Sequence, residues 1–189
     1  MADRIRRAAL GGVVIALAAT GCSGQGEPVP TTSAPAPMTE APLDAARYLA
    51  SPCSGVPAGL TVQLGLAQRA EAHNTVLPGA GDQSQCRLSS GPPLSAAAEV
   101  RFYPGARPLP LVTGTGSEVI PASVAGYPAG EWIPGTGTDG GSTSCQVIVD
   151  IAPNQGIGTV YNSPTGEEVT ASCAKANQLA QGVVAALAR

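Results

Sequence analysis

His73 is the only histidine in the 189-residue chain, so any Ser-His nucleophile would have to use it. It sits in Ala72-His73-Asn74-Thr75, near Glu71. Nothing elsewhere has the G-x-S-x-G form that presents a serine on a strand-to-helix elbow. A solvated loop histidine is therefore expected rather than a general base. Gly135-Thr136-Gly137-Thr138-Asp139-Gly140 spells G-x-G-x-x-G. A dinucleotide site of that form needs a strand before it and a helix N-terminus after it, to turn backbone N–H groups toward a pyrophosphate. Here Pro134 precedes and a strand pattern begins at Ser144, which predicts a connecting loop. Glu99, Glu118, Glu131 and Asp150 would supply an acid–base pair only if folding joined two of them. Glu167 and Glu168 suit the positive end of a helix. Trp132, Tyr127, Tyr103 and Phe102 are of the type that lines grooves, and more often packs cores. No catalytic, cofactor-binding or metal residue is assigned on these grounds, and no cofactor is expected.

Five cysteines carry the clearer message. No two lie two to four residues apart and there is only one histidine, so a zinc set is a poor reading. Cys53, Cys86, Cys145 and Cys173 form an even set, which in an exported chain reads as two disulfides with three possible connectivities. The sequence-local pairing, Cys53–Cys86 with Cys145–Cys173, is favoured. Each bond then closes a loop of roughly 30 residues, worth about 3–4 kcal/mol in the chain-entropy account.

Cys22 is the odd one, and its surroundings assign it a role. Arg4, Arg6 and Arg7 precede an apolar run from Ala8 to Thr20, followed by Gly21 and Cys22. A basic start, a short apolar stretch and small residues before a cut site make a secretory signal. The run, about 13 residues, is shorter than the roughly 20 that a spanning helix needs. Ala19-Thr20-Gly21-Cys22 resembles a bacterial lipobox, in which the thiol is acylated and becomes the new N-terminus. Two acyl chains hold a protein stably where one does not. The expected organisation is a lipoprotein signal peptide at 1–21, a lipidated Cys22 with a tether to residue 42, and one domain over 43–189. Ser23 to Pro42 has five prolines and no aromatic residue, so it lacks the apolar surface to order itself. It would span about 25 Å as a coil and up to about 60 Å if fully extended.

Formal net charge is −3. Cleavage would remove three arginines and Asp3, leaving seven basic and twelve acidic residues and a net charge of −5. Such a balance argues against nucleic acid as a partner. With one Trp, one Phe and four Tyr, the core must be built from Ala, Val and Leu, which bury less area per residue. Two cross-links would offset that.

The elements that must position these residues are mostly strands. Asp44 to Leu49 suits a helical turn, and Val56 to Leu66 a short helix with Pro57 near its start and Gly65 near its end. Residues 67–84 show no clear period. Cys86 to Ser89 is a short strand candidate. Ala97 to Tyr103 alternates, with Val100 and Phe102 on one face and Glu99, Arg101 and Tyr103 on the other. Glu118 to Ile120 is a weak strand that stops at Pro121. Tyr127 to Ile133 contains Pro128 and is expected at a sheet edge. Ser144 to Ile151 is the strongest strand, and after a turn at Pro153-Asn154-Gln155-Gly156, Ile157 to Tyr161 pairs back as a hairpin. A C-terminal helix, capped by Ser163 or Thr165, carries a stripe of Val169, Cys173, Ala176, Ala180, Val183 and Leu187. A Cys145–Cys173 bond would staple that helix across the sheet. The predicted fold is α+β, an antiparallel sheet with helices packed on one face.

A lipobox, a Thr/Pro-rich tether, Pro52-Cys53 opening the domain, Cys86 at a short strand, Cys145-Gln146-Val147-Ile148-Val149 and a terminal Cys173…Leu179-Ala180 helix together resemble the actinobacterial lipoproteins of the DUF 3558 family. The likeness covers roughly Pro52 to Leu187. It implies this fold and a place on the extracytoplasmic side of the cell membrane, and no activity. The expected function is a non-enzymatic cell-envelope module, attached to the membrane by its lipid and binding a small envelope ligand or a partner protein. The alternatives are a hydrolase acting on cell-wall or lipid material, and a lipid carrier with an apolar cavity between sheet and helix.

Overall fold

A computed structural model describes residues 37–73, 81–91, 96–114, 118–133, 143–163 and 167–189, with the side chain of His73 excepted. They belong to one compact unit, Pro35–Arg189. Cys22 and the Gly135–Gly140 motif lie outside the described residues, as does Thr165.

Seven strands form one antiparallel sheet: β1 (Gln68–His73), β2 (Ser84–Ser89), β3 (Ala97–Tyr103), β4 (Val119–Val124), β5 (Tyr127–Trp132), β6 (Ser144–Ala152) and β7 (Gln155–Asn162). Their order is β1-β2-β3-β7-β6-β5-β4. The β6–β7 hairpin, the most apolar pair in the sequence, is the centre. Strand alternation (side chains two apart share a face) sends Cys145, Val147, Val149 and Ile151 to one face, here called the front. All four are fully buried. The register adds Tyr161 opposite Cys145 and Val100 opposite Thr159 to the same face.

The front is closed by α3 (Val169–Leu187), lying against β6 and β7. Its Ala176, Leu179, Ala180 and Val183 are fully buried. Beside it sit two 3-10 turns, Ala45–Tyr48 and Pro52–Gly55, and α1 (Ala58–Gln63). Leu60 of α1 packs where Gly182 of α3 leaves room. Both disulfides lie on this side: Cys53–Cys86 with S–S 2.02 Å ties the second turn to β2, and Cys145–Cys173 with S–S 2.07 Å ties α3 to β6. The favoured pairing is the one formed, and the α+β architecture stands.

An element that the sequence reading did not contain, α2 (Pro108–Thr113), crosses the opposite, back face. The connection from β3 must pass β7, β6 and β5 to reach β4 at the far edge. Its helix starts with Pro at the first position, where no N–H is needed. Two glycines make room for it. A Cβ on Gly156 would stand 2.6 Å from Pro108 Cγ and 2.7 Å from Val149 O, and one on Gly130 2.7 Å from Leu109 Cδ1.

Several boundaries differ from expectation. Gln68–His73 is a strand, because all six residues pair with β2. Strand β4 runs through Pro121 to Val124 and is an edge strand, where a missing N–H is tolerated. The edge expected for Tyr127–Ile133 is thus taken by β4. Pro128 fits inside β5 since pairing with β6 begins only at Ala129. Ser163 does not cap α3: Glu168 holds the N-cap position without a side-chain bond. The Ser163 hydroxyl instead donates to Thr143 O (3.0 Å) and accepts from Ser172 Oγ (2.8 Å).

Part of the stretch expected as tether lies on the domain. Met38 and Leu43 pack against the core. Thr39 Oγ1 donates to Gly126 O (3.1 Å), Tyr127 Oη to Ala41 O (2.6 Å), and Leu43 N to Ile151 O (2.9 Å). This strap runs over the β4–β5 turn, where Ala125 (φ 50°) and Gly126 (φ 86°) are both left-handed, the geometry of a tight two-residue hairpin turn.

Candidate functional site

The four carboxylates weighed as acid–base candidates are not brought together. Glu131 lies on the front side of β5, opposite Val147, and accepts from Asn177 Nδ2 of α3 (2.8 Å). Glu118 precedes β4. Asp150 and Glu99 share the back face, but on β6 and β3, with β7 between them. The aromatic candidates divide as well. Phe102 packs on Tyr48 in the front core, ring centroids 5.4 Å apart, and Tyr127 faces the strap. Tyr103 and Trp132 belong by register to the back. His73 ends β1, paired with Ser84. Glu167 meets Lys175 in an ion pair, and Lys175 Nζ lies 4.9 Å from the Tyr161 ring centroid.

Asp150 is fully buried. Its Oδ2 accepts from Arg107 Nη2 (2.7 Å) and Nε (2.8 Å), and its Oδ1 from Leu109 N (3.3 Å). It therefore holds the first turn of α2 from across the sheet, doing for that helix what a capping side chain does locally. Burial pushes its carboxyl above the ordinary aspartate range, against the pull of Arg107 and the Leu109 N–H. All its oxygens are occupied by structural partners. That makes Asp150 an anchor for α2 and not a base.

The rest of the back face, over β1, β2, β3 and the end of β7, is not covered by α2. Three cross-strand rows line it: Ala72–Gln85–Arg101–Gly158, Ala70–Arg87–Glu99–Val160 and Gln68–Ser89–Ala97–Asn162. Glu99 is the hub. Its carboxylate pairs closely with Arg101 Nε, lies 3.6 Å from Arg87 Nε and, with the Gln85 amide in the orientation that satisfies both its neighbours, accepts from the Gln85 nitrogen at 2.8 Å. The Gln85 oxygen in turn accepts from Arg87 Nη2 at 2.7 Å. The Glu99 side chain keeps 17% of its surface exposed, and Arg87 61%. Burial works against the charge on Arg101, yet Tyr103 and Glu99 together leave its guanidinium held above the usual arginine value. Burial raises the Tyr103 phenol, with Arg101 opposing.

Between these rows lies an open groove of about 350 Å³, with Gln68, Arg87, Ser89, Ala97, Glu99 and Asn162 among its walls. Ser89 Oγ donates to Gln68 Oε1 (3.2 Å). Guanidinium, amides and a hydroxyl around small alanines can bind a polar group. None of these residues except Glu99 drew attention in the sequence. The available signal was the run of strand-alternating polar side chains, Arg87, Glu99 and Arg101, on faces opposite Leu88, Val100 and Phe102.

A lipid carrier would need space between sheet and helix. Among the described residues that interface is filled by Val147, Val149, Ile157, Leu179, Ala180 and Val183, all at 0% exposure. No group of three or more His, Cys, Asp or Glu side chains among the described residues is arranged for a metal.

The fold and groove define a disulfide-stapled α+β domain with one closed sheet face and one partly open, charged face. Residues 17–186 match the family described as protein of unknown function (DUF3558), and the chain belongs to that family. No curated protein and no solved structure matches it.

Proposed function

We propose that the protein is a cell-envelope lipoprotein, cleaved before Cys22 and acylated there, whose domain is a non-enzymatic binding module on the extracytoplasmic side of the membrane. The observation that carries the binding reading is the back-face groove, where Arg87 stands mostly exposed beside a carboxylate already satisfied by Arg101 and Gln85. Two disulfides in so small a domain support an oxidising compartment. The family match starts at residue 17 and takes in Cys22 with the domain, which supports reading the two as one unit. The strap over residues 38–43 lies on the domain, so a tether from Cys22 would be shorter than residues 23–42.

Intact mass of the membrane-extracted protein, with non-reducing peptide mapping, tests the address. The expected result is a diacylated Cys22 at the N-terminus and four other cysteines in the two bonds described. An unmodified Cys22 behind a retained signal would end the lipoprotein reading.

A further inference from the structure

We propose that the back-face groove binds the free carboxylate end of a short peptide with small side chains, with Arg87 taking the carboxylate. This rests on the binding-module reading and names its ligand class.

The first argument is charge. Two guanidinium groups, Arg87 and Arg101, share the single carboxylate of Glu99. The cluster therefore carries one unmatched positive charge, in a chain whose net charge is −3. An anion that approaches this acidic protein meets a favourable spot here. One unmatched guanidinium suits one carboxylate. A phosphate, near two charges, would bring more charge than the cluster matches. The planar fork of arginine also fits a carboxylate with two parallel bonds.

The second argument is orientation. Gln85 holds Arg87 Nη2 at 2.7 Å, and Glu99 faces its Nε at 3.6 Å. Nη1 has no partner among the described residues, and the side chain is 61% exposed. The guanidinium is thus aimed before a ligand arrives, so less side-chain freedom is lost on binding.

The third is the shape and lining of the groove. Its volume, about 350 Å³, is at the lower end of the range for small-molecule sites, enough for two or three small residues. Ala70 and Ala97 leave the space, while Gln68, Ser89 and Asn162 offer both donors and acceptors to peptide N–H and C=O groups. No aromatic side chain is among the described residues lining it, so there is no platform on which a sugar ring or a nucleobase would stack.

The test titrates the full chain with N-acetyl-Ala-Ala as the free acid, with its C-terminal amide, and with inorganic phosphate, following amide shifts by NMR. The free acid is expected to saturate, with shifts in β2 and β3, and the amide to bind at least tenfold more weakly. Arg87→Gln should weaken the acid at least tenfold, and Ala97→Trp should block it by filling the groove; a far-UV spectrum checks that each variant is folded. Equal binding of acid and amide overturns the proposal, as does undiminished binding by Arg87→Gln. Phosphate that displaces the acid at equal or lower concentration overturns it in favour of a phosphorylated ligand. No response to any probe also overturns it. In that case a diacylated Cys22 leaves the envelope-module reading standing, whereas an unmodified Cys22 removes the address whatever the titrations show.

Discussion

The two faces of the sheet solve different problems with the same strands. The front is mostly apolar, covered by α3 over β6 and β7 and by the two 3-10 turns over β1 to β3, with both disulfides on its side. The back is divided. Over β6 and β7 it carries a buried carboxylate, paired with a half-buried arginine, that holds a six-residue helix, and over β1 to β3 it carries two guanidinium groups that share one carboxylate and stay partly wet. Apolar burial scales with area and needs no particular partner. A buried carboxylate is tolerated only with its full set of donors. The front should therefore carry the stability, and the open half of the back should be free to change its side chains.

The largest expected effect tests the front. Leu179→Ala removes a fully buried side chain and should cost about 3 kcal/mol in urea unfolding. Leu111→Ala on α2, already 40% exposed, should cost well under about 1 kcal/mol. Equal losses would end the contrast between the two faces.

Gly156→Ala comes next. Its new methyl would press on the Pro108 ring and on Val149 O, and neither yields as a flexible side-chain end does. A loss of about 2 kcal/mol is expected, with faster amide exchange in Leu111 to Gly114 than in α3. Uniform exchange across both helices would mean that α2 is not separately held.

Asp150 gives a smaller effect with a sign. Its folded pKa is raised, mainly by burial, so between the ordinary value of 3.8 and the raised one the folded protein holds a proton that the unfolded chain has released. Stability then falls as pH rises through that window. Measured against Asp150→Asn, which does not titrate, the wild-type advantage should be greatest below pH 3.8 and shrink as pH rises. An advantage that grows with pH would show that Arg107 and the Leu109 N–H outweigh desolvation.

Much of the front was legible in the sequence, because period-2 and helical apolar patterns report burial directly. Val100 and Phe102, the Cys145–Ile151 face and the Cys173 helix all lie where their spacing puts them. Neither α2 nor β1 carried such a pattern. In α2 the prolines Pro108 and Pro110 hide a helix whose first turn is capped from β6, 41 residues away in sequence. In β1 the front-facing positions are Arg69 and Glu71. Arg69 Nη1 donates to Cys53 O (3.2 Å) and its Nη2 to Thr61 Oγ1 (3.0 Å), while Glu71 Oε1 accepts from Cys53 N at 3.4 Å. Those side chains are polar because they bond the turn above them, so alternation is invisible there. The groove was missed for a different reason: alternation puts Glu99 and Arg101 on one face, but a binding face built from cross-strand rows exists only once register is known.

The smallest expected effect on stability is the most informative about the open half. Arg87 is 61% exposed and stands 3.6 Å from Glu99, a separation and exposure at which ion pairs contribute about 0–1 kcal/mol. In Arg87→Gln, Glu99 keeps Arg101 and the Gln85 nitrogen, so no buried charge is orphaned. The change in urea midpoint should correspond to less than about 0.5 kcal/mol. Glu99→Gln is the paired case. It removes the negative charge that both guanidinium groups share and leaves Arg101, with 31% of its side chain exposed, facing Arg87 without a counter-charge. It should cost more than Arg87→Gln, and the difference should shrink in high salt as the two positive charges are screened. A salt-independent difference would mean that Glu99 acts through its hydrogen bonds alone. An Arg87→Gln loss above about 1 kcal/mol would make Arg87 a structural strut, and the face it sits on would not be the free half of the sheet.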